Sequence, residues 1–130
     1  MRLLVLLMPV CVLGMTGCGY KDKDYLAAVQ ISPPGGTAEA GSPNDTVQFS
    51  AIGYYAPVDC GMYGCYPTSP YQPRPLTNAN WSTSDSVNTK INSNGLATCL
   101  SMTSSPATIT ATAPGGYYGS IQGTATLICN

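Results

Sequence analysis

Histidine is absent from the 130 residues, and with it the commonest general base and metal ligand. Charge is scarce too: five Lys and Arg stand against six Asp and Glu, 8% of the chain, for a net −1. That leaves no basic patch to hold a phosphate backbone and excludes nucleic acid as a partner. The acids Asp22, Asp24, Glu39, Asp45, Asp59 and Asp85 are scattered, so no carboxylate dyad is in view. No Gly-rich strand-to-helix turn is present, and no serine has a visible base. The chain is therefore not expected to be an enzyme, and no cofactor is implied. Low charge does not mean disorder here, because disordered chains are usually polar and strongly charged. Thr, Ser, Ala, Val, Ile and Tyr dominate, punctuated by 14 Gly and 11 Pro, a mixture of short strands and turns.

Long apolar runs are also missing. Leu3 to Leu13 (LLVLLMPVCVL) is the longest, and it is too short for a bilayer span of about 20 residues. Preceded by Arg2, it reads as the core of a signal peptide. Met15-Thr16-Gly17-Cys18 follows, and this segment resembles the bacterial lipobox. The resemblance implies cleavage after residue 17, a diacylglycerol thioether on Cys18 and acylation of the new amino terminus. Residues 1–17 are then the leader, and 18–27 the lipidated cysteine and a polar tether. Gly19, rather than the Asp linked to inner-membrane retention, implies the outer membrane as the address. Cysteine parity agrees: Cys11 leaves with the leader, lipid takes Cys18, and Cys60, Cys65, Cys99 and Cys129 remain as an even set.

From residue 28 to 130 the pattern is that of a single all-β domain with strands at sandwich spacing. Ala28–Ser32 is strand A, stopped by Pro33-Pro34-Gly35-Gly36. Thr46–Gly53 is strand B, with Val47, Phe49 and Ala51 on one face. Asn78–Thr83 is strand C around Trp81. Val87, Thr89 and Ile91 alternate along strand D. Leu96–Leu100 is strand E after an Asn94-Gly95 turn. Ala107–Ala113 is strand F, with Ile109 facing inward, and Gly123–Cys129 is strand G. Seven antiparallel strands and one Trp suggest an immunoglobulin-like β-sandwich, with Trp81 filling the space between the sheets.

These segments resemble the bacterial immunoglobulin-like domain of group 2, found in intimin- and invasin-type adhesins. The pieces that carry the resemblance are Val29–Pro33, Val47–Ala51, Asn80–Asp85, Ser93–Thr98 and Ala107–Thr112. An insertion at about 54–77 and the four cysteines depart from that family's pattern. In such a sandwich strand B ends at one pole, and strands E and G end at the other. That topology selects Cys60–Cys65 and Cys99–Cys129 as the disulfides, since a bridge needs Cα atoms within about 7 Å. A four-cysteine zinc site is the rival, disfavoured by spacing and by export.

The insertion carries Tyr54, Tyr55, Tyr63, Tyr66 and Tyr71 among five prolines, and the F–G loop adds Tyr117 and Tyr118. In this fold the B–C and F–G loops share a pole. Tyrosine offers wide contact with few rotatable bonds, so the expected role is recognition of a protein, a glycan or peptidoglycan. The bland alternative is that these loops pack on each other and close the sandwich. Strand A begins at the same pole, so the tyrosines also stand where a lipid-tethered chain meets its membrane. The expected function is a non-enzymatic, membrane-anchored interaction or adhesion module of the cell envelope. A structural accessory of an envelope assembly or secretion system is the alternative.

Overall fold

The computed structural model describes residues 24–68, 71–116 and 119–130, and these are all-β. The strands are β1 (Tyr25–Ser32), β2 (Gly35–Ala38), β3 (Thr46–Gln48), β4 (Ser50–Ala56), β5 (Val58–Gly61) and β6 (Gly64–Pro67). They continue with β7 (Gln72–Leu76), β8 (Asn80–Thr83), β9 (Thr89–Ile91), β10 (Leu96–Cys99), β11 (Ala107–Gly116) and β12 (Gly119–Cys129).

Pairing gives a seven-stranded mixed sheet, a three-stranded sheet of β3, β10 and β9, and the separate β5–β6 hairpin; the first two fold into a sandwich of two layers. In one, β11 and β12 run antiparallel from Ala107↔Leu127 to Gly116↔Gly119. β8 lies antiparallel on the other edge of β11, and β2 lies parallel to β12. In the other layer β1 pairs with β4 and β4 with β7, while β3 pairs with β10 and β10 with β9. Among the described residues, β1 meets β11 in parallel at Leu26↔Gly116, at one edge. The architecture is an all-β sandwich in which the expected strand A is divided between β1 and β2 and strand B between β3 and β4; it is not wholly antiparallel, because β1 meets β11 and β2 meets β12 in parallel.

The core follows from period-two burial. Ala107, Ile109, Ala111 and Ala113 of β11, with Ala125, Leu127 and Cys129 of β12, face Leu26, Val29 and Ile31 of β1, Phe49, Ala51 and Ala97. Most of these are small, so the layers approach closely. A Cβ placed on Gly123 would stand 2.5 Å from the Val29 carbonyl oxygen. Phe49 fills the space that remains and is fully buried.

Several expected features differ in detail. Strand B is broken at Phe49, whose N–H bonds the Gly95 carbonyl at 2.9 Å in the register of β3 with β10, whereas from Ser50 the chain pairs with β1. Strand A begins at Tyr25, so three residues read as tether belong to the sheet. An irregularity between Leu26 and Ala28 restores the phase that puts Leu26 and Val29 on the same buried face. Strand A stops at Ser32 as expected, but only Pro33 and Pro34 lie between strands, and Gly35-Gly36 open β2. The prolines lack the donors to stay on β4, and the chain crosses to β12, where Thr126 N–H bonds the Pro34 carbonyl at 3.1 Å.

Val87 is not on strand D. It is 80% exposed, because the Asp85 carboxylate accepts the N–H groups of Val87 (3.2 Å) and Asn88 (3.1 Å) and folds a turn there. Strand D starts only at Thr89, whose hydroxyl is buried between Thr83 and Asp85. Ile109 is buried as expected, and Val47 packs on the core edge. Trp81 is only partly buried: it covers the side of the core, and Phe49 holds the centre.

Candidate functional site: a disulfide-stapled hairpin

Pro57 alone separates β4 from the hairpin of β5 and β6. A two-stranded hairpin is marginal in water by itself. Here three devices hold it. Thr68 closes the base, donating its N–H (2.8 Å) and its hydroxyl (3.1 Å) to the Pro57 carbonyl. Cys60 and Cys65 are directly opposed in the ladder, with Cα atoms 4.0 Å apart, and form a disulfide. At the tip, Met62 and Tyr63 make a two-residue turn that leaves through Gly64 at φ +120°. The described residues of the insertion are therefore largely strand: the end of β4, the β5–β6 hairpin and β7.

After the hairpin β7 returns antiparallel along β4, with Pro73 opposite Tyr54 and Pro75 opposite Ile52. Two prolines in a strand are tolerated because β7 is the edge of its layer. Set at alternate positions, they leave the strand no N–H to offer an incoming chain.

The predicted tyrosines part company according to strand parity. Tyr54 lies on the outer face of its layer and donates its hydroxyl to Gln30 Oε1 at 2.7 Å. Tyr55 points the other way and packs against the core. The Arg74 guanidinium sits 5.0 Å from its ring centroid and is ion-paired with Asp24. Tyr63 is 88% exposed, Tyr66 61% and Tyr71 53%. The Tyr66 hydroxyl bonds the Tyr63 carbonyl at 2.9 Å, which lays its ring back over Gly64. Tyr117 and Tyr118 lie outside the described residues, as do the leader and Cys18.

Sequence reasoning missed Met62, which at 94% is the most exposed of these side chains. Its signal was present: an apolar residue beside Tyr63, midway between two bonded cysteines. It also missed the Asp24–Arg74–Tyr55 stack, which needs residues 50 positions apart. Cys99 and Cys129 form the second disulfide, Cα atoms 5.6 Å apart, linking the ends of β10 and β12 at the opposite pole. With all four cysteines paired, none is a thiolate available to zinc. Among the described residues no other group of acids or cysteines could hold a metal ion.

A cleft of about 280 Å³ opens where strand B breaks, walled by Leu76, Trp81 and Asn94 and floored by Phe49. The Gln48 amide spans its rim with bonds to the carbonyls of Phe49 (2.7 Å) and Asn94 (2.8 Å). This opening is why Trp81 is half-covered.

The fold and the hairpin together define a small all-β sandwich bearing one covalently closed aromatic finger. Comparison with protein-family models and with curated proteins finds no match.

Proposed function

We propose that the chain is an exported, lipid-anchored and non-enzymatic protein of the cell envelope, resembling the group 2 bacterial immunoglobulin-like domains. Its sandwich acts as an interaction module through the stapled hairpin. One observation carries this reading: Met62, Tyr63 and Tyr66 stand in solvent on a disulfide-closed hairpin outside the core cluster, and Tyr71 is exposed just before β7. Loops that merely sealed the sandwich would bury those rings. Large apolar groups carried on a closed backbone suit a contact surface, because little backbone entropy is lost when they are covered.

Cysteine arithmetic supports the anchor. With four cysteines paired, the mature chain keeps Cys18 alone, and a thioether to lipid uses that thiol. The test has two parts. Mass spectrometry of the amino-terminal peptide should find diacylglycerol on Cys18, and Cys18→Ala should release the chain from membranes. A photoreactive amino acid replacing Tyr63 should cross-link to an envelope component. The same group replacing exposed Thr124 of β12 serves as control. Equal yields at the two positions refute the contact role.

A further inference from the structure

We infer that the partner of the stapled hairpin is the surface of the bilayer that holds the chain's own lipid; this rests on the anchored reading above. The first residues of β1 pair with the last residues of β4, Tyr25↔Ala56 and Leu26↔Tyr55. The hairpin departs from β4 one residue later. The chain therefore enters the domain at the pole from which the hairpin springs. The Asp24–Arg74 ion pair, stacked on Tyr55, ties that entry point to the strands at the hairpin's base.

Reach then decides orientation. Cys18 to Tyr25 is seven residue steps, at most about 25 Å of extended chain. Each hairpin strand has four residues, roughly 13 Å at 3.3 Å per residue. A lipid on Cys18 holds this pole toward the bilayer, with the hairpin tip within reach of the headgroup layer. The opposite pole, with Cys99–Cys129, is left facing away.

The tip has the chemistry of that layer. Met62 is apolar and flexible, and Tyr63 presents a ring with a polar end, the kind of side chain that settles at the membrane interface. Asp59 is the one charged residue from 58 to 67. Attachment is therefore interfacial rather than electrostatic, and anionic lipid is not required. The domain is held at two points, by acyl chains and by aromatic finger, and so keeps a fixed tilt.

The test uses the full mature, acylated chain in phosphatidylcholine vesicles, with Tyr63→Trp and, as control, Thr124→Trp. The parent, with Trp81 alone, supplies the background emission. At position 63 the emission should shift to the blue on vesicles. Lipids brominated on their acyl chains should quench it, and raised salt should not reverse either change. Position 124 should show neither effect. Melting should be unchanged in both variants, since both side chains are exposed. If position 63 stays as wet as position 124 while the chain floats with the vesicles, the hairpin proposal falls and the anchor stands. The proposal also falls, in favour of a protein or glycan partner, if emission at 63 responds only to added envelope extract. A chain that does not float removes the anchor and this inference together.

Discussion

Cys99 and Cys129 tie the two layers together at the pole away from the hairpin, and their removal has a calculable effect. The sulfurs join the end of β10 to the end of β12 across 30 positions of sequence. In the chain-entropy treatment, a closed loop of about 31 residues restricts the unfolded state by roughly 12 cal/mol/K, or about 3.7 kcal/mol at 25 °C. Both side chains are buried, so Cys99→Ala/Cys129→Ala also sacrifices packing, of order 1 kcal/mol. A domain of about 100 residues has an unfolding entropy near 0.2 kcal/mol/K, so the double variant should melt about 20–25 °C below the parent. Thermal and urea melts followed by far- and near-ultraviolet circular dichroism are the assay. The urea m-value should rise, because the unlinked chain unfolds to a more open state. Cys60→Ala/Cys65→Ala is the built-in contrast. Its loop is only about six residues, and its hairpin lies outside the core cluster. Protease nicking within 58–67 should rise sharply, with the global melting temperature little changed. A Cys99/Cys129 variant that melts within about 4 °C of the parent would refute the two-layer reasoning.

Gly95→Ala should destabilise by about 2–4 kcal/mol, because at φ +79° its Cβ would meet the Phe49 carbonyl oxygen at 2.3 Å and Trp81 at 2.9 Å. A near-parental urea midpoint would show that the Phe49 break is not fixed by this contact. Asp85 gives a pH dependence. Its carboxylate accepts the Asn88 side-chain amide and the Asn88 and Val87 N–H groups, which hold its pKa below the ordinary value. A depressed folded-state pKa contributes stability that is complete above the unfolded value and is lost as pH falls through the folded one. Melting temperature should thus fall below about pH 4, and Asp85→Asn should flatten that limb; parallel acid limbs in parent and variant would count against it. Pro73→Val/Pro75→Val restores donors to the outer edge of β7 and should produce concentration-dependent association in size-exclusion chromatography with light scattering. Elution unchanged across concentrations would show that the prolines do not guard the edge.

Burial explains what was legible. Ala107 to Ala113 and Ala125 to Cys129 alternate because one face is sealed against the other layer, and that constraint is written directly in the letters. The disulfides are legible from strand direction, which puts Cys99 and Cys129 at one pole and Cys60 and Cys65 at the other. Where a local bond competes with the alternation, sequence period misleads. Val87 keeps the phase of Thr89 and Ile91, yet the Asp85 carboxylate captures its N–H and turns it outward. Proline misled as well. Pro73 and Pro75 read as punctuation, and only the pairing of β7 with β4 shows an edge strand that tolerates them. The sandwich pattern puts Trp81 between the sheets, but the break at Phe49 puts a smaller ring there and leaves the indole over the side of the core.

The hairpin is the least legible part and the most telling. Tyr54 and Tyr55 look equivalent in sequence, yet one residue of pleat sends the first to the outer face and the second to the core. Nothing in the core demands the ten residues from Val58 to Pro67. Ordering them opposes folding by about 1–2 kcal/mol per residue, and Val58 is the one buried side chain described there to offset it. The Cys60–Cys65 bridge makes up part of the difference by restricting the unfolded loop. Such a staple does little for the sandwich, whose layers are already linked at the far pole. What it preserves is the shape of a tip carrying Met62 and Tyr63 in solvent. Rigidity at an exposed apolar tip has a physical use only when something covers that tip, and this is the ground for assigning the hairpin a contact role.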